Sequence, residues 1–370
     1  EMRYYWEVNY NEKKIPEIQF EELIVKSIDA SNLITNTTIS HYKKNLPMRT
    51  AFLEVLDGKL TIITTYGEIK VLDNLKPINS KNIDSNLAGN IQVFGTLLNR
   101  NKIYLATFDT PIQDDVNLKC PKISIMKSDI HYSDKSIEFK KIFSVDNCYG
   151  LKGVDGGELA LDYKNNELYF TTGASGDLKK FAQDDNSIYG KVIKIDLSNN
   201  TYKIYSKGHR NPQGLLITKN GYLISTEHGP YGGDEINRIE EKKNYGWPIS
   251  SYGEDYTFPK NNNGYELIKS HQSKGFQEPI FSFIPSIGIS KIIKIPNDFS
   301  RFMIDNFFIS SLNRRSIYRV KFDDKFNKLL FLEEIRVGGR VRDIVYLDNL
   351  KTFALYLEDI AKIMLIKSKN

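Results

Sequence analysis

The sequence predicts an all-β protein, a six-bladed β-propeller, and two observations carry that expectation. A unit of a short apolar strand, a turn of Asn, Asp, Gly or Lys, and a second apolar strand recurs six times along the chain. Long helical periods are hardly visible between the units. Period-2 runs bounded by turn residues mark strands, and strand-turn-strand units repeated at intervals of tens of residues are how propeller blades read.

The second strands read DGKLTIITT from Asp57, NRNKIYLATF from Asn99, NNELYFTTG from Asn165, NGYLISTEHG from Asn220, DNFFISSL from Asp305 and NLKTFALYLE from Asn349. Each follows a first strand (AFLEV, VFGTLL, ELALD, GLLIT, KIIKI, DIVYL), and most precede a third (EIKVL, ISIMK, KVIKIDL, INRI, SIYRVKF, KIMLI). A β-sandwich also gives hairpins but would not explain this three-part recurrence. FAQDDNSIYG (181–190) is polar and ends in Gly, so it reads as a turn or loop. The last unit has only three strands of its own, and an open sheet edge invites pairing with other chains. The spare strand FEELIVKSI (20–28) is therefore expected to join residues 340–368 and close the ring, making residues 1–370 one propeller domain.

Hydrophobic residues at 40% and charged residues at 26% allow a sizeable core. The balance of 51 Lys and Arg against 46 Asp and Glu, without long blocks of like charge, argues against a nucleic-acid partner. No apolar run is long enough for a membrane-spanning helix. Cys120 and Cys148 flank two strands with a turn near Ser133 to Lys135; equal index sums in a hairpin put them opposite each other about residue 134. A disulfide is expected there, which favours an oxidising compartment.

The densest cluster of polar, cationic and Gly/Pro-rich segments runs from Gly208 to Tyr256: GHRNPQGL (208–215), EHGPYGGDEIN (227–237), NYGWP (244–248), and Asp255 nearby. Loops of this kind between rigid strands are where binding sites hang. Dinucleotide-binding, phosphate-binding and nucleophile-elbow motifs are missing from the sequence. In order and spacing, the three strings resemble the soluble quinoprotein sugar dehydrogenases of the glucose/sorbosone dehydrogenase family. The resemblance spans about residues 90–345 and is sharpest from 208 to 256.

That resemblance implies oxidation of an aldose, a small-molecule substrate, by hydride transfer to pyrroloquinoline quinone (PQQ) with calcium, in a periplasmic or secreted protein. It implies a cofactor calcium on the backbone carbonyls of Gly229 and Pro230, and a separate structural calcium on the carboxylates of Glu235 and Asp255 and the backbone carbonyls of Tyr245 and Ser251. Arg210 would stabilise charge with Asn211 beside it, and Arg340 and Arg342, two apart and so expected on one strand face, would bind the cofactor's carboxylates. Asn313 stands where relatives often have lysine. Where the family has H-x-G-G-R-L, this chain has VDGGEL (154–159), so Val154 replaces the proton-accepting histidine; Ala174 replaces a frequent acid. Asp155 is the substitute base, although adjacent strand positions face opposite ways, while His209 beside Arg210 and His228 beside Gly229 read as residues that support the site. The alternative expectation is a catalytically silent propeller that binds a sugar, glycan or protein partner on the same face. A homodimer is admissible in either case.

Overall fold

The computed structural model describes residues 23–31, 33, 51–87, 91–109, 122–146, 156–254 and 268–369. Val154, Asp155, Asp255, Cys120 and Cys148 lie outside them. Strand β1 (Leu23–Asp29) comes first. Then follow β2 (Ala51–Leu56), β3 (Lys59–Thr64), β4 (Ile69–Leu72) and β5 (Ser80–Ser85). The second sheet is β6 (Gln92–Asn99), β7 (Lys102–Phe108), β8 (Lys122–Asp129) and β10 (Lys140–Asp146), while the short β9 (Ser136–Ile137) pairs in parallel with β5. The third is β11 (Gly156–Asp162), β12 (Glu167–Thr172), β13 (Lys191–Asp196) and β14 (Thr201–Lys207), and the fourth is β15 (Pro212–Ile217), β16 (Leu223–Glu227), β17 (Asp234–Ile239) and β18 (Phe281–Phe283). The fifth is β19 (Ile289–Lys294), β20 (Asn306–Ser311), β21 (Ser316–Phe322) and β22 (Leu329–Arg336). In the sixth, β23 (Val341–Leu347), β24 (Thr352–Leu357) and β25 (Lys362–Ser368) are completed by β1, whose Leu23 lies opposite Ser368.

These six sheets form the propeller. The innermost strands touch in the order β2, β6, β11, β15, β19, β23 and back to β2. Each interface between neighbouring sheets has its own apolar cluster, so burial is spread around the ring. The inner strands approach closely: a Cβ at Gly95 of β6 would lie 1.6 Å from the carbonyl oxygen of Gly157 in β11, where φ is +94°. Only glycine fits at both positions. The region of FAQDDNSIYG is turns, with a short 3-10 helix over Gly176–Phe181 before it. In the described part of the Cys120–Cys148 hairpin, Lys122 lies opposite Asp146, with a bulge between Lys141 and Phe143.

Five of the six inner strands carry a bulge near their first residues, between Val93 and Gly95, Gly156 and Leu159, Pro212 and Gly214, Ile289 and Ile292, and Val341 and Asp343. A bulge re-aims the side chains it contains. Here those include Glu158, Gln213, Lys291 and Arg342, each of which reaches a polar partner on another strand. Lys291 Nζ lies 3.1 Å from Glu158 Oε2 and 3.7 Å from Asp343 Oδ1, while Asp343 Oδ2 accepts the Leu53 N–H at 2.9 Å. Glu54, next along β2, accepts from Thr96 Oγ1 of β6 at 2.7 Å. One lysine and three buried carboxylates thus tie together five inner strands at the centre of the ring.

Burial raises the Glu54 carboxyl from near 4.5 to about 7, with Lys291 and Thr96 opposing the shift. The fold therefore favours the protonated form. The cost of ionising Glu54 is absent below the unfolded value, grows between about 4.5 and 7, and stays constant above that. Glu54→Gln should raise unfolding free energy by ~3 kcal/mol at pH 8, from 1.36 kcal/mol per unit, and leave it unchanged at pH 4. Denaturant melts at the two pH values check this, and an equal effect at both would refute it.

Candidate active site

The GHRNP turn is held by a carboxylate contributed by another strand. Glu227, the last residue of β16, is buried, and its Oε1 accepts the N–H groups of Arg210 and, at 3.3 Å, Asn211. Its Oε2 lies 3.0 Å from His209 Nδ1, whose Nε2 meets Ser206 Oγ at 2.8 Å while the ring stacks on Tyr245 at 4.6 Å. His209 is fully buried and held at both nitrogens, so it props Glu227 and is no candidate base. The Arg210 side chain points elsewhere: Nη1 donates to the His228 carbonyl at 3.0 Å, and Cζ lies 5.4 Å from the Trp247 ring.

Trp247 Nε1 donates to the Ala174 carbonyl at 2.7 Å, and the Ala174 N–H donates to the Arg210 carbonyl at 2.7 Å. Position 174 is therefore a backbone link between the third and fourth sheets. Its methyl is buried in the apolar cluster with Leu178, Ala182 and Trp247, where a carboxylate would be costly. Ala174 is thus explained by packing.

Arg340 and Arg342 converge, but by a different route from strand alternation. Arg340 precedes β23, and Arg342 occupies its bulge. Both grip the buried Glu358 just beyond β24: Arg340 Nε at 3.1 Å, Arg342 Nε at 2.6 Å and Nη2 at 3.1 Å. Burial pushes the Glu358 carboxyl up, but Arg342 and Arg340 outweigh it and hold it below the usual range. The anion that relieves their repulsion is thus built in. Arg340 Nη1 also reaches Asn313 Oδ1 at 3.3 Å, and Arg342 Nη1 reaches Gln213 Oε1 at 3.2 Å. Gln213 Nε2 donates to Asn211 Oδ1, which also accepts the Gly156 N–H at 3.2 Å. A single polar arc therefore joins four of the five expected cofactor ligands, with Arg210 adjacent in sequence to its end.

Asp234, fully buried, accepts the Gly229 N–H at 3.0 Å and the Ser286 hydroxyl on Oδ1, and the N–H groups of Ile287 and Ile289 at 3.0 and 2.9 Å on Oδ2. This pins the Gly229-Pro230 turn to the fifth sheet. A Cβ at Gly229 would come within 2.2 Å of the Gly232 carbonyl oxygen, so the turn closes only on glycine. Among the described residues, the Gly229 and Pro230 carbonyls accept no hydrogen bond, which fits a hard cation.

The structural-calcium set is arranged differently. Glu235 Oε1 faces His271 Nε2 at 3.1 Å, Oε2 accepts from Asn237 at 3.1 Å, and His271 Nδ1 lies 2.7 Å from Ser250 Oγ. Burial pushes the Glu235 carboxyl up; burial also lowers His271, but the carboxylate outweighs that and raises it. A cavity of about 10 Å³, room for about one water, touches Glu227, Gly229, Glu235, Tyr245, Ser251 and His271. The Tyr245 hydroxyl donates to the Arg238 carbonyl at 2.6 Å and Ser251 Oγ accepts the Gly253 N–H at 3.1 Å, bonds that leave the backbone carbonyls expected of these two residues to a cation. Among the described residues no three His, Cys, Asp or Glu side chains converge as a metal site. A cation here would compete with His271 for Glu235.

Sequence reasoning missed Glu227, Glu358, Gln213, Asp234 and His271. The first two had a signal: they close the fourth and sixth copies of the recurrent second-strand string.

Comparison with known proteins bears on the family and the fold. The family model described as Glucose / Sorbosone dehydrogenase matches residues 44–363. The aldose sugar dehydrogenase of Escherichia coli is 29% identical over 210 residues, covering 51% of this chain and 53% of that protein. The chain spans about half the length of the curated relatives it matches. In structure it is similar to the soluble aldose sugar dehydrogenase from Escherichia coli in the apo form, with a TM-score of 0.71 at 19% identity over 94% of this chain and 100% of that one. It is also similar to the PQQ-bound form of an aldose sugar dehydrogenase from Streptomyces coelicolor, with a TM-score of 0.63 at 18% identity over 94% and 98%.

Proposed function

Because the chain belongs to the glucose/sorbosone dehydrogenase family, we propose that it is a quinoprotein sugar dehydrogenase that uses PQQ and calcium at the mouth where β11, β15, β19 and β23 begin. The observation that carries this reading is the arc from Asn313 through Arg340, Glu358, Arg342 and Gln213 to Asn211. Two guanidinium groups sharing one carboxylate leave one net positive charge, fixed in orientation, which suits a planar ligand rich in carboxylates. When bound, PQQ supplies the quinone that takes the sugar's electrons, and calcium polarises it. The residues have narrower tasks. Arg340, Arg342, Asn211 and Asn313 bind and orient, the Gly229 and Pro230 carbonyls offer oxygens to the cation, and Arg210, held beside Trp247, stabilises developing negative charge. Glu235, Tyr245, Ser251 and Asp255 are proposed ligands of a second calcium, on condition that the cation draws Glu235 from His271. The sugar's hydroxyl proton needs an acceptor that Val154 cannot provide, and Asp155 is the candidate. The aldose substrate and a periplasmic or secreted location belong to the same proposal.

Val154 favours a second reading, a catalytically silent propeller that binds a sugar, glycan or protein partner at the same mouth. PQQ titrated into the purified protein with calcium, followed by quinone absorbance, separates the two. Saturable binding is expected, lost on chelation and weakened at least tenfold in Arg342→Ala, since truncating a charged partner typically costs about 2 kcal/mol or more. Absence of saturable binding by the wild type would leave only the silent propeller.

A further inference from the structure

The segment 181–190, FAQDDNSIYG, forms no strand, yet it lies against the candidate site and closes around a buried cation. Lys191, the first residue of β13, is fully buried. Its Nζ donates to the carbonyls of Phe181 and Ala182 at 3.0 Å each and of Tyr189 at 2.7 Å. An ammonium has three N–H donors and no acceptor, so these carbonyls satisfy it, and in doing so they tie one end of the segment to the other. Burial lowers Lys191 to about 8 against the pull of Asp184, so at neutral pH it keeps its charge and all three donors.

The closed segment grips the two strings that carry Arg210 and Trp247. The Ala182 and Gly190 carbonyls accept the Gly208 and His209 N–H groups, both at 3.1 Å. Gln183 Nε2 donates to the Trp247 carbonyl at 2.6 Å and to Asn244 Oδ1 at 3.1 Å, and Gln183 Oε1 accepts from Asn244 Nδ2 at 2.6 Å. The Trp247 N–H in turn donates to the Gly208 carbonyl at 3.0 Å. The Arg210 guanidinium, beside the Trp247 ring, therefore hangs from two stretches of backbone that the segment fixes together. We propose that Lys191 and Gln183 are positioning residues for Arg210, Lys191 by closing segment 181–190 and Gln183 by fastening the closed segment to Trp247. The inference rests on the sugar dehydrogenase reading, in which Arg210 stabilises developing charge. Small displacements of such a group are costly to rate. Cofactor affinity should be affected less, because Arg340 and Arg342 are held separately by Glu358.

Gln183→Ala and Lys191→Met test this. In the cofactor-free protein, amide hydrogen exchange at Gly208, His209 and Trp247 should quicken about tenfold in Gln183→Ala, the scale of one lost hydrogen bond, and more in Lys191→Met, while β20 exchanges as in the wild type. With PQQ, calcium and an aldose, Gln183→Ala should lower kcat per PQQ-loaded protein by about tenfold and change the Kd for PQQ by less than about threefold, as expected of independent sites. A purely structural role would reduce the folded fraction without that split. Unchanged exchange at Gly208 and Trp247 in Gln183→Ala would overturn the proposal whether or not the protein is an enzyme. Exchange quickened equally in β20, or an unchanged kcat in the loaded variant, would also overturn it. Local exchange that quickens in the variants while the wild type oxidises no aldose would uphold the positioning and count against the dehydrogenase reading alone.

Discussion

With PQQ, calcium and a panel of aldoses, the wild-type protein should turn over about 10²- to 10⁴-fold more slowly than relatives that keep the motif's histidine, which is the usual worth of a positioned general base. Val154→His should recover part of the loss. The expectation rests on VDGGEL standing where the family has H-x-G-G-R-L, and on His209 being spent on Glu227 and Ser206. The added ring needs room, and overpacking could cost ~1 to 3 kcal/mol of stability, so the rescue should be read as kcat per folded, PQQ-loaded protein. Family-typical turnover without any mutation would move the base's role to another group, and Asp155→Asn would then be the variant to abolish it. PQQ bound with no turnover, and no rescue by Val154→His, would favour the silent propeller.

Lys291→Met should be the most destabilising single change at the ring's centre, costing about 3 to 5 kcal/mol, as breaking a buried ion pair by removing one partner does. Burial alone would lower the lysine, but Asp343, Glu158 and Glu54 around it hold its ammonium above the usual range. Removing it leaves three carboxylates facing one another. Burial already raises Asp343 and Glu54, so further protonation is the fold's available response, and the variant should lose least stability in acid. Glu158→Gln in the same chain should return part of the loss, a non-additivity expected only of neighbours. Urea melts of the two single variants and the double variant at neutral and acid pH measure both effects. A loss below about 1 kcal/mol, the scale of an exposed ion pair, would mean that the cluster is solvated and does not join the strands.

The strands were legible because a sheet buried on both faces demands repeated apolar runs: every second-strand string, from DGKLTIITT to NLKTFALYLE, contains a second strand of its sheet. The closing strand was legible because the last unit was one strand short. The site was only partly so. Arg210, Asn211, Asn313, Arg340 and Arg342 were visible as residue types in matching strings, but their partners lie far along the chain: Glu227 follows Arg210 by 17 residues and Gln213 lies 129 from Arg342. Bulges went unread: the glycines of VFGTLL, GGEL and PQGL sit at three of them and were a signal, whereas nothing in VRD marks the extra residue that turns Arg342 toward Glu358. Alternation, the rule that reads strands well, therefore misleads at the mouth. Asp155, Asp255 and the Cys120–Cys148 pair fall outside the described residues, so those expectations rest on sequence.

The pairing of β1 with β25 has a mechanical consequence. Leu23 and Ser368 lie at the same end of the pair, so tension applied to the chain before β1 and after β25 acts on that one end. Such a load does not shear the seven registered pairs together; it peels them in turn, from Leu23↔Ser368 toward Asp29↔Lys362. Each step resists with little more than one rung, and a net hydrogen bond is worth only about 1 kcal/mol. Pulled at these two points, the ring should open at this seam at low force, with the remaining sheets still folded.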